Sequence, residues 1–300
     1  MHHDAIVIGG SFAGLSAAMY IARARRSVAI IDAGLPRNRF AAHSHGFFGH
    51  DGSAPAAMLD KARAQVLAYP TASLVVGEAR TARPHGDGFA VTLASGAELT
   101  ADRLVLAFGL SDELPGLPGL AERWGHSVII CPYCHGFEFS GQQLGVLAMT
   151  PMSAHQAMLV AEWGPVTYFS NGFEPDAATR DDLLRRGVSI EATPVAALLG
   201  TAPELAAVDL ADGRRVAVDA LFIGPQSRLN SDIADQLGCA FDEAPFGRII
   251  RTDALKQTSV PGVFAAGDIA RPMHSVTFAS ADGVMAGTAL HRSLVFPLAA

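Results

Sequence analysis

The 300-residue sequence is poor in charged residues, in cysteine and in aromatic side chains. Only 17% of its residues are charged and 7% are aromatic, and 29 acidic against 22 basic residues give a net charge of −7. It contains no cluster of basic residues, so we expect no nucleic-acid partner, because phosphate binding needs a basic face. With three cysteines, the chain cannot form the disulfide framework of a small secreted protein.

Apolar residues, in contrast, make up 50% of the chain, which is enough for a large core. The length predicts one large domain or two of ordinary size. The first four residues, Met1 to Asp4, lack the basic segment that begins a signal peptide. We therefore expect a cytoplasmic protein whose thiols are kept in a reducing environment.

One stretch of 18 uncharged residues, Ala5 to Ala22, reaches the length of a membrane helix. It begins with Ile and Val residues, is broken at Gly9-Gly10-Ser11, and continues as Ala- and Leu-rich sequence. This pattern is typical of a strand, a tight turn and a buried helix. We therefore expect no transmembrane span and no membrane partner.

The same segment has the features of a dinucleotide-binding turn. In such folds, glycines let the backbone approach a pyrophosphate at a helix N-terminus, and an acidic residue about 20 residues further on binds a ribose hydroxyl. Gly9, Gly14 and Asp32 stand at these positions, and Ser11 replaces the middle glycine of the G-x-G-x-x-G pattern. The alternative is a strand-to-helix turn that binds no nucleotide.

Near the other end, residues 258–268 read Thr-Ser-Val-Pro-Gly-Val-Phe-Ala-Ala-Gly-Asp, which predicts a turn and a short buried strand with Asp268 at its tip. Here the chain resembles flavoproteins with two dinucleotide-binding domains, in which such an Asp binds the ribityl chain of FAD. The alternative is a strand that ends in a solvated Asp. The two motifs together predict a discontinuous FAD-binding domain, residues 1–112 and 236–300, with residues 113–235 inserted as a second domain.

The inserted region begins with a Cys-x-x-Cys motif, Cys131-Pro132-Tyr133-Cys134, followed by His135. Two such thiols can close a disulfide in a tight turn and are suited to thiol exchange. A structural zinc site would need four ligands, and Cys239 is the only other cysteine. The string also fits the C-x-x-C-H pattern of haem attachment, but haem would leave the flavin motifs unexplained. A pair of buried structural cysteines is the remaining alternative.

The order of these motifs resembles the low-molecular-weight thioredoxin reductases over nearly the whole chain. The resemblance implies an α/β fold with two Rossmann-like, three-layer dinucleotide-binding domains, bound FAD and a homodimer. It also implies that Cys134 is the sulfur next to the flavin and that Cys131 exchanges with the substrate.

The second dinucleotide site departs from the reductase pattern. Where the reductases have a Gly-Gly-Gly sequence, this chain has Ala148-Met149-Thr150, whose side chains we expect to obstruct NADPH. The reductases also have an Arg-rich stretch after the next strand, but Ser170 to Phe173 contain no basic residue. The resemblance therefore predicts a second domain with a degenerate NADPH site.

His135 is a further departure, because the reductases have Asp directly after the second cysteine. Histidine titrates near neutrality and suits proton removal from a substrate dithiol, although a packing or surface role is the alternative. With the turn Pro36-Arg37-Asn38 and the His-rich residues 43–52, it makes the chain similar to the dithiol oxidases of disulfide-containing natural products, such as those of gliotoxin and holomycin biosynthesis. In that branch, dioxygen is the electron acceptor and NADPH is not required.

Carried over residue by residue, the resemblance places fourteen residues at the FAD: Gly9, Ser11, Phe12, Ala13, Gly14, Asp32, Arg37, Asn38, His45, Ala107, Asp268, Ser275, Val276 and Thr277. The last three stand where the reductases have Arg-Gln-Ala, so we expect flavin-ring contacts there mainly from backbone N–H groups. His274 is a further candidate because it adjoins them. No metal ligand is predicted.

The predicted function is that of an FAD-dependent dithiol oxidase, with Cys131, Cys134 and His135 as catalytic residues. It would form a disulfide in a small-molecule or peptide substrate and pass the electrons to dioxygen. One alternative is a disulfide reductase that is driven by NADPH or ferredoxin and acts on a thioredoxin-like protein or a small disulfide. Another is a flavin-bound redox sensor. The residues leave the direction open, because reduction potentials determine it.

Overall fold

The uncharged N-terminal stretch folds as a strand, a turn and a helix, as its composition predicts. The computed structural model describes residues 2–296. The first elements in chain order are β1 (His2–Ile8), α1 (Phe12–Arg23), β2 (Val28–Asp32), α2 (Pro55–Leu67), β3 (Ala72–Val76), β4 (Ala79–His85), β5 (Gly88–Leu93), β6 (Glu98–Leu106) and β7 (Leu110–Asp112).

The middle of the chain forms a second set of elements. They are β8 (Val128–Ile129), α3 (Pro132–His135), β9 (Leu144–Leu147), α4 (Ser153–Val160), β10 (Val166–Phe169), α5 (Ala177–Arg185), β11 (Ser189–Glu191), β12 (Val195–Leu199), β13 (Ala207–Leu210), β14 (Arg215–Ala217), β15 (Ala220–Ile223) and β16 (Ser227–Leu229). The remaining elements are α6 (Ile233–Gln236), β17 (Phe241–Ala244), β18 (Gly247–Ile250), β19 (Val263–Ala265) and α7 (Val276–Val295).

The first sheet contains strands from both ends of the chain. Its parallel part has the order β3-β2-β1-β6-β19, while β5 and β4 continue from the N-terminal half of β6 as an antiparallel meander. β1 and β2 are almost entirely apolar and buried, as expected for parallel strands that are covered on both faces. One core cluster contains Val7 and Ile30 together with Phe264 and Leu290, so both chain ends contribute to the same core.

The second sheet is formed by the middle of the chain. It is parallel, with the order β11-β10-β9-β15-β8, and β12-β13-β14 form a separate antiparallel sheet beside it. A mixed sheet with a five-stranded parallel part and a second, parallel sheet, each with packed helices, confirm the predicted α/β class with two Rossmann-like units.

The chain passes between the two sheets twice, and the two crossings pair with each other. β7 leaves the first sheet and β16 returns to it, and they form a two-stranded antiparallel ladder that we call the connector. The predicted domain boundaries, 112/113 and 235/236, stay predictions. Residue 1 and residues 297–300 of the predicted FAD domain lie outside the described residues. Within residues 2–296, no helix combines the length and the apolar character that a membrane span requires.

Candidate active site

A cavity of about 1150 Å³ lies between the two sheets, and both chain ends and the Cys-x-x-Cys segment line it. Its volume exceeds the roughly 300–1,000 Å³ of common small-molecule pockets. Fifteen of the predicted site residues line it: Gly9, Ser11, Phe12, Ala13, Asp32, Arg37, Asn38, His45, Ala107, Cys131, Cys134, His135, Asp268, Ser275 and Val276. Gly14 and Thr277 are not among its lining residues.

The turn between β1 and α1 has the close backbone packing that a phosphate cradle needs. Gly9 has a φ of +118°, and a Cβ there would collide with the carbonyl group of Ala107. A Cβ on Gly14 would collide with the carbonyl oxygen of Gly9, so this position requires glycine. Gly14 packs beneath the turn and does not line the cavity. Ser11 is the N-cap of α1, but its side chain makes no capping hydrogen bond. The first N–H groups of α1 therefore suit a pyrophosphate.

Asp32 ends β2 at the position predicted for a ribose contact. Its Oδ1 accepts a hydrogen bond from the Gly34 N–H at 3.0 Å, and its Oδ2 lies 3.1 Å from Nη2 of Arg63. Arg63 comes from α2 and lines the same cavity. Its Nε is buried without a hydrogen-bond partner. Sequence reasoning missed Arg63, because the pairing joins residues 31 positions apart.

Asp268, predicted to bind the ribityl chain, begins a short 3₁₀ helix, Asp268–Ala270, after β19. Its Oδ2 accepts a hydrogen bond from Nη1 of Arg37 at 3.0 Å. The same Nη1 lies 2.7 Å from Nδ1 of His274. The structure thus brings together Arg37, Asp268 and His274, all of which sequence reasoning placed near the cofactor.

The N-terminus of α7 occupies the position predicted for flavin-ring contacts. Ser275 is the N-cap of the helix, and its hydroxyl accepts a hydrogen bond from the Phe278 N–H at 3.0 Å. Val276 lines the cavity, while Thr277 is exposed. Because the Ser275 hydroxyl is engaged in capping, the expectation of contacts from backbone N–H groups fits this helix end.

Cys131 and Cys134 form a disulfide across one helical turn, with a Cα–Cα distance of 5.3 Å. Cys131 is the N-cap of α3, and Pro132 takes the first helical position, where the missing N–H costs no hydrogen bond. Gly136 follows because a Cβ there would lie 2.5 Å from the Pro132 carbonyl oxygen and 3.1 Å from the Trp163 ring. Pro132 and Gly136 therefore suit the tight turn in which both cysteines line the cavity.

His135 is surrounded by titratable groups. Burial lowers its pKa, the carboxylate of Glu138 acts to raise it, and nearby His45 acts to lower it. The rings of His45 and His135 lie 6.2 Å apart and nearly perpendicular. Nε2 of His45 lies 3.5 Å from Oε1 of Glu138, and its Nδ1 lies 3.6 Å from Oδ1 of Asp51. With a lowered pKa, His135 is neutral near neutral pH and can accept a proton.

The turn after β9, where the reductases bind NADPH, is closed by its own side chain. Ser153 is 2% exposed, and its hydroxyl accepts hydrogen bonds from the N–H groups of Met149 at 3.0 Å and Thr150 at 3.2 Å. Pro151 has no N–H to offer. The N–H of Ser153 bonds to the Thr150 carbonyl at 3.0 Å. Four positions of the turn therefore offer no free donor to a pyrophosphate.

This geometry changes the reason for the predicted obstruction of NADPH. The Ala148 side chain is buried in the core beneath β9, and Met149 packs against a second core cluster. Of the three side chains expected to block the site, only that of Thr150 belongs to a residue lining the cavity. The site is thus altered mainly through its backbone donors, which sequence reasoning did not foresee.

α4 also supports the redox segment. Nε2 of Gln156 donates a hydrogen bond to the carbonyl oxygen of Ile130 at 2.8 Å, one residue before Cys131. The helix that would hold a dinucleotide therefore positions the strand end that leads into the disulfide. Within residues 2–296, no three His, Cys, Asp or Glu side chains converge in a way that could hold a metal ion.

Replacing Ser153 with Ala is expected to lower the free energy of unfolding by about 1–3 kcal/mol, because two partly buried N–H groups lose their acceptor. Urea denaturation, followed by circular dichroism, measures the change. The control is Ser95→Ala, since Ser95 lies in an exposed turn. An unchanged midpoint for Ser153→Ala would mean that its hydroxyl does not satisfy these donors.

Comparison with known proteins supports the same assignment of the fold. Residues 3–160 and 165–283 match the family described as pyridine nucleotide-disulphide oxidoreductase. The chain is similar to the thioredoxin reductase sirT of Leptosphaeria maculans, with 32% identity in an alignment that covers 96% of this chain and 93% of that protein. It is also similar to the thioredoxin reductase tcpT of Claviceps purpurea, with 32% identity over 95% of this chain and 92% of that protein.

Two solved structures are similar over nearly the whole chain. An oxidoreductase from Agrobacterium tumefaciens has 48% identity and a TM-score of 0.95, and the likeness covers 99% of this chain and 100% of that one. HlmI has 39% identity and a TM-score of 0.92, with 97% of this chain and 92% of that one covered. Both sheets and the redox segment therefore lie within the likeness.

Proposed function

The chain belongs to the pyridine nucleotide-disulphide oxidoreductase family, and from this premise we propose that it is a dithiol oxidase with dioxygen as electron acceptor. The family and the thioredoxin reductase relatives establish an FAD-dependent oxidoreductase that acts on sulfur groups. The proposal concerns what these comparisons leave open, namely the substrate, the direction of electron flow and the acceptor. The substrate class that we propose is a small-molecule or peptide dithiol.

The residues of the cavity divide into cofactor and redox groups. Gly9, the N-terminus of α1 and Asp32 would hold the pyrophosphate and ribose of FAD, and Asp268 with the N-terminus of α7 would hold the ribityl chain and the ring. When bound, FAD would supply two-electron chemistry, because it can accept two electrons from a thiol pair and pass them on to dioxygen. The disulfide lines the same cavity, which supports electron transfer between its sulfurs and such a cofactor.

The thiol steps follow from the position of the disulfide. A substrate thiolate attacks the sulfur of Cys131, the Cys131–Cys134 bond breaks, and Cys134 leaves as a thiolate. The second substrate thiolate then attacks the substrate sulfur of the mixed disulfide, which closes the substrate disulfide and releases Cys131 as a thiolate. His135, neutral because burial lowers its pKa, accepts the proton of the first substrate thiol, and the proton of the second passes to the released Cys131 sulfur. Two electrons thereby move from the substrate to the cysteine pair.

The observation that carries the proposal is the closed turn at Ser153. Two backbone N–H groups that would face a pyrophosphate are already bonded, and Pro151 supplies none. A turn that has lost these donors binds a pyrophosphate less well, because phosphate oxygens that face it would lose hydration without compensation. This favours the substrate dithiol over NADPH as the source of electrons.

The test is an anaerobic titration of the purified protein, in which flavin absorbance is followed while NADPH or dithiothreitol is added in separate cuvettes. We expect bleaching by dithiothreitol alone, and recovery of the oxidised flavin with formation of peroxide when air is admitted. Prompt bleaching by NADPH would overturn the proposal in favour of a disulfide reductase. Bleaching by dithiothreitol without turnover in air would favour a redox sensor.

The oligomeric state is part of the same proposal. Homodimerisation is implied by the resemblance to thioredoxin reductases, and gel filtration with light scattering measures it. A monomer at working concentration would remove the dimer from the proposal without affecting the thiol chemistry.

A further inference from the structure

We infer that Asp112 is a positioning residue that joins Arg37 in the FAD cavity to the connector, so that FAD binding restrains the orientation of the sheet that carries the disulfide. The inference depends on FAD as the cofactor. It does not depend on the direction of electron flow, on the substrate or on dioxygen.

The connector is the only backbone link between the two sheets within the described residues. Leu110, Ser111 and Asp112 pair with Leu229, Arg228 and Ser227. Beyond the ladder, the N–H of Glu113 donates a hydrogen bond to the Gln226 carbonyl at 2.8 Å. Any rotation of one sheet against the other must therefore bend the chain at or beside these residues.

Asp112 ends β7, and its side chain points away from solvent, with 7% exposed. Its two oxygens accept hydrogen bonds from Nε of Arg37, at 2.9 Å, and from Nη2 of Arg37. This two-point arrangement fixes the plane of the guanidinium group as well as its position. Burial acts against the charge of Arg37, but the hydrogen bonds and charges of Asp112 and Asp268 raise its pKa, so it remains a cation.

The remaining nitrogen of the same guanidinium group serves the cofactor side. Nη1 donates to Oδ2 of Asp268 at 3.0 Å, and it lies 2.7 Å from Nδ1 of His274. Asp112 therefore holds two of the three guanidinium nitrogens and leaves one for the cavity. Without Asp112, the Arg37 cation would be free to turn fully toward Asp268 and compete with the hydroxyl groups of a bound cofactor.

The segment that carries Arg37 also touches the second half of the chain. Arg37 begins the 3₁₀ helix Arg37–Phe40, and Phe40 packs directly on Gly125. A Cβ on Gly125 would lie 2.7 Å from the Cβ of Phe40. One short helix thus contacts the connector through Arg37 and the segment leading into β8 through Phe40. A cofactor that fixes this helix therefore restrains both the connector and the segment leading into β8.

Hydrogen–deuterium exchange of the full-length protein, with FAD removed and then restored, tests the inference. In the wild type, we expect FAD to slow exchange both in peptides from the N-terminus of α1 and in peptides that span 110–116 and 226–231. In Asp112→Asn, which keeps the shape of the side chain, the α1 peptides should still be protected by FAD, but the connector peptides should not. The affinity of Asp112→Asn for FAD, measured by quenching of FAD fluorescence, should be roughly tenfold weaker than that of the wild type.

The matched control is Asp235→Asn, because Asp235 makes a two-point pair with Arg248 on the surface, at 2.8 and 2.7 Å. This variant should behave as the wild type in both measurements. If Asp112→Asn does not fold, Arg37→Lys is the second variant, because lysine keeps the positive charge but cannot make the two-point hydrogen bonds to Asp112. The same loss of connector protection is expected in this variant. Equal protection of the connector by FAD in the wild type and the variants would overturn the inference. Neither measurement uses a dithiol, NADPH or dioxygen, so the result can be interpreted even if the proposed oxidase function is wrong.

Discussion

Replacing Cys131 with Ser is expected to reduce dithiol-dependent bleaching of the flavin by at least about 10³-fold, because the variant has no disulfide for the substrate to attack. Cys134→Ser should have the same effect on bleaching. FAD content should be unchanged in both, since none of the predicted cofactor contacts is lost. Anaerobic stopped-flow absorbance with dithiothreitol measures the rate, and the flavin-to-protein absorbance ratio measures the content.

The two variants also distinguish the roles of the two sulfurs. If Cys131 exchanges with the substrate, Cys134→Ser treated with cystamine should form a stable mixed disulfide at Cys131, visible as a mass increase. Cys131→Ser should form much less, because Cys134 is expected to face the flavin. The opposite pattern would reverse the assignment.

Cys239→Ser is the control for both experiments. Cys239 is 6% exposed, and burial raises the pKa of its thiol, although a hydrogen bond with Thr258 acts to lower it. A buried, protonated thiol is a poor nucleophile. This variant should therefore bleach at the wild-type rate, and after reduction and treatment with cystamine it should retain no adduct, because Cys134 resolves the mixed disulfide at Cys131.

The parts of the site that could be predicted from the sequence are those with a fixed local spacing. Cys131 and Cys134 stand at positions i and i+3, which one helical turn brings together, and Gly9 and Gly14 flank the start of a helix. Such spacing predicts the local backbone geometry before any tertiary contact is known. The resemblance then placed Asp268 in the same cavity, although it lies more than 250 residues from Gly9.

The parts that could not be predicted depend on pairs that are distant in the chain. Arg37 was predicted at the cofactor, but its two-point partner Asp112 lies 75 residues further on, in a strand whose sequence carries no motif. Arg63 and Asp32 are a second case. Nothing in the local sequence of Asp112 distinguishes it from a solvated carboxylate, because the charge pair exists only after the first sheet and the connector have assembled.

The degenerate second site illustrates a different limit. The loss of three glycines indicated an altered turn, but side-chain volume suggested obstruction, whereas the structure buries Ala148 in the core and packs Met149 against a core cluster. The direction of a side chain after a strand depends on the register of β9, which the sequence alone does not set.

Replacing His135 with Gln is expected to slow dithiol-dependent bleaching by about 10²–10⁴-fold, the usual range for loss of a general base. Gln keeps a polar side chain of similar reach but cannot accept a proton near neutral pH. Exposed His85 on β4 provides the matched control, and His85→Gln should bleach as the wild type does. A rate for His135→Gln within about threefold of the wild type would assign His135 to packing.

The pH dependence gives this prediction a second, independent measurement. Burial lowers the pKa of His135 below its ordinary value of 6.5, although Glu138 opposes the shift. A lowered pKa means that the imidazole stays neutral to a more acidic pH, so the wild-type rate should fall only as the pH drops through a value below 6.5. In His135→Gln this acid limb should disappear, and in Glu138→Gln it should move to still lower pH, because the carboxylate that favours the protonated ring is gone. Stopped-flow rates from about pH 5 to about pH 9 resolve the limb, and an acid limb that persists unchanged in His135→Gln would assign the titrating base to another residue.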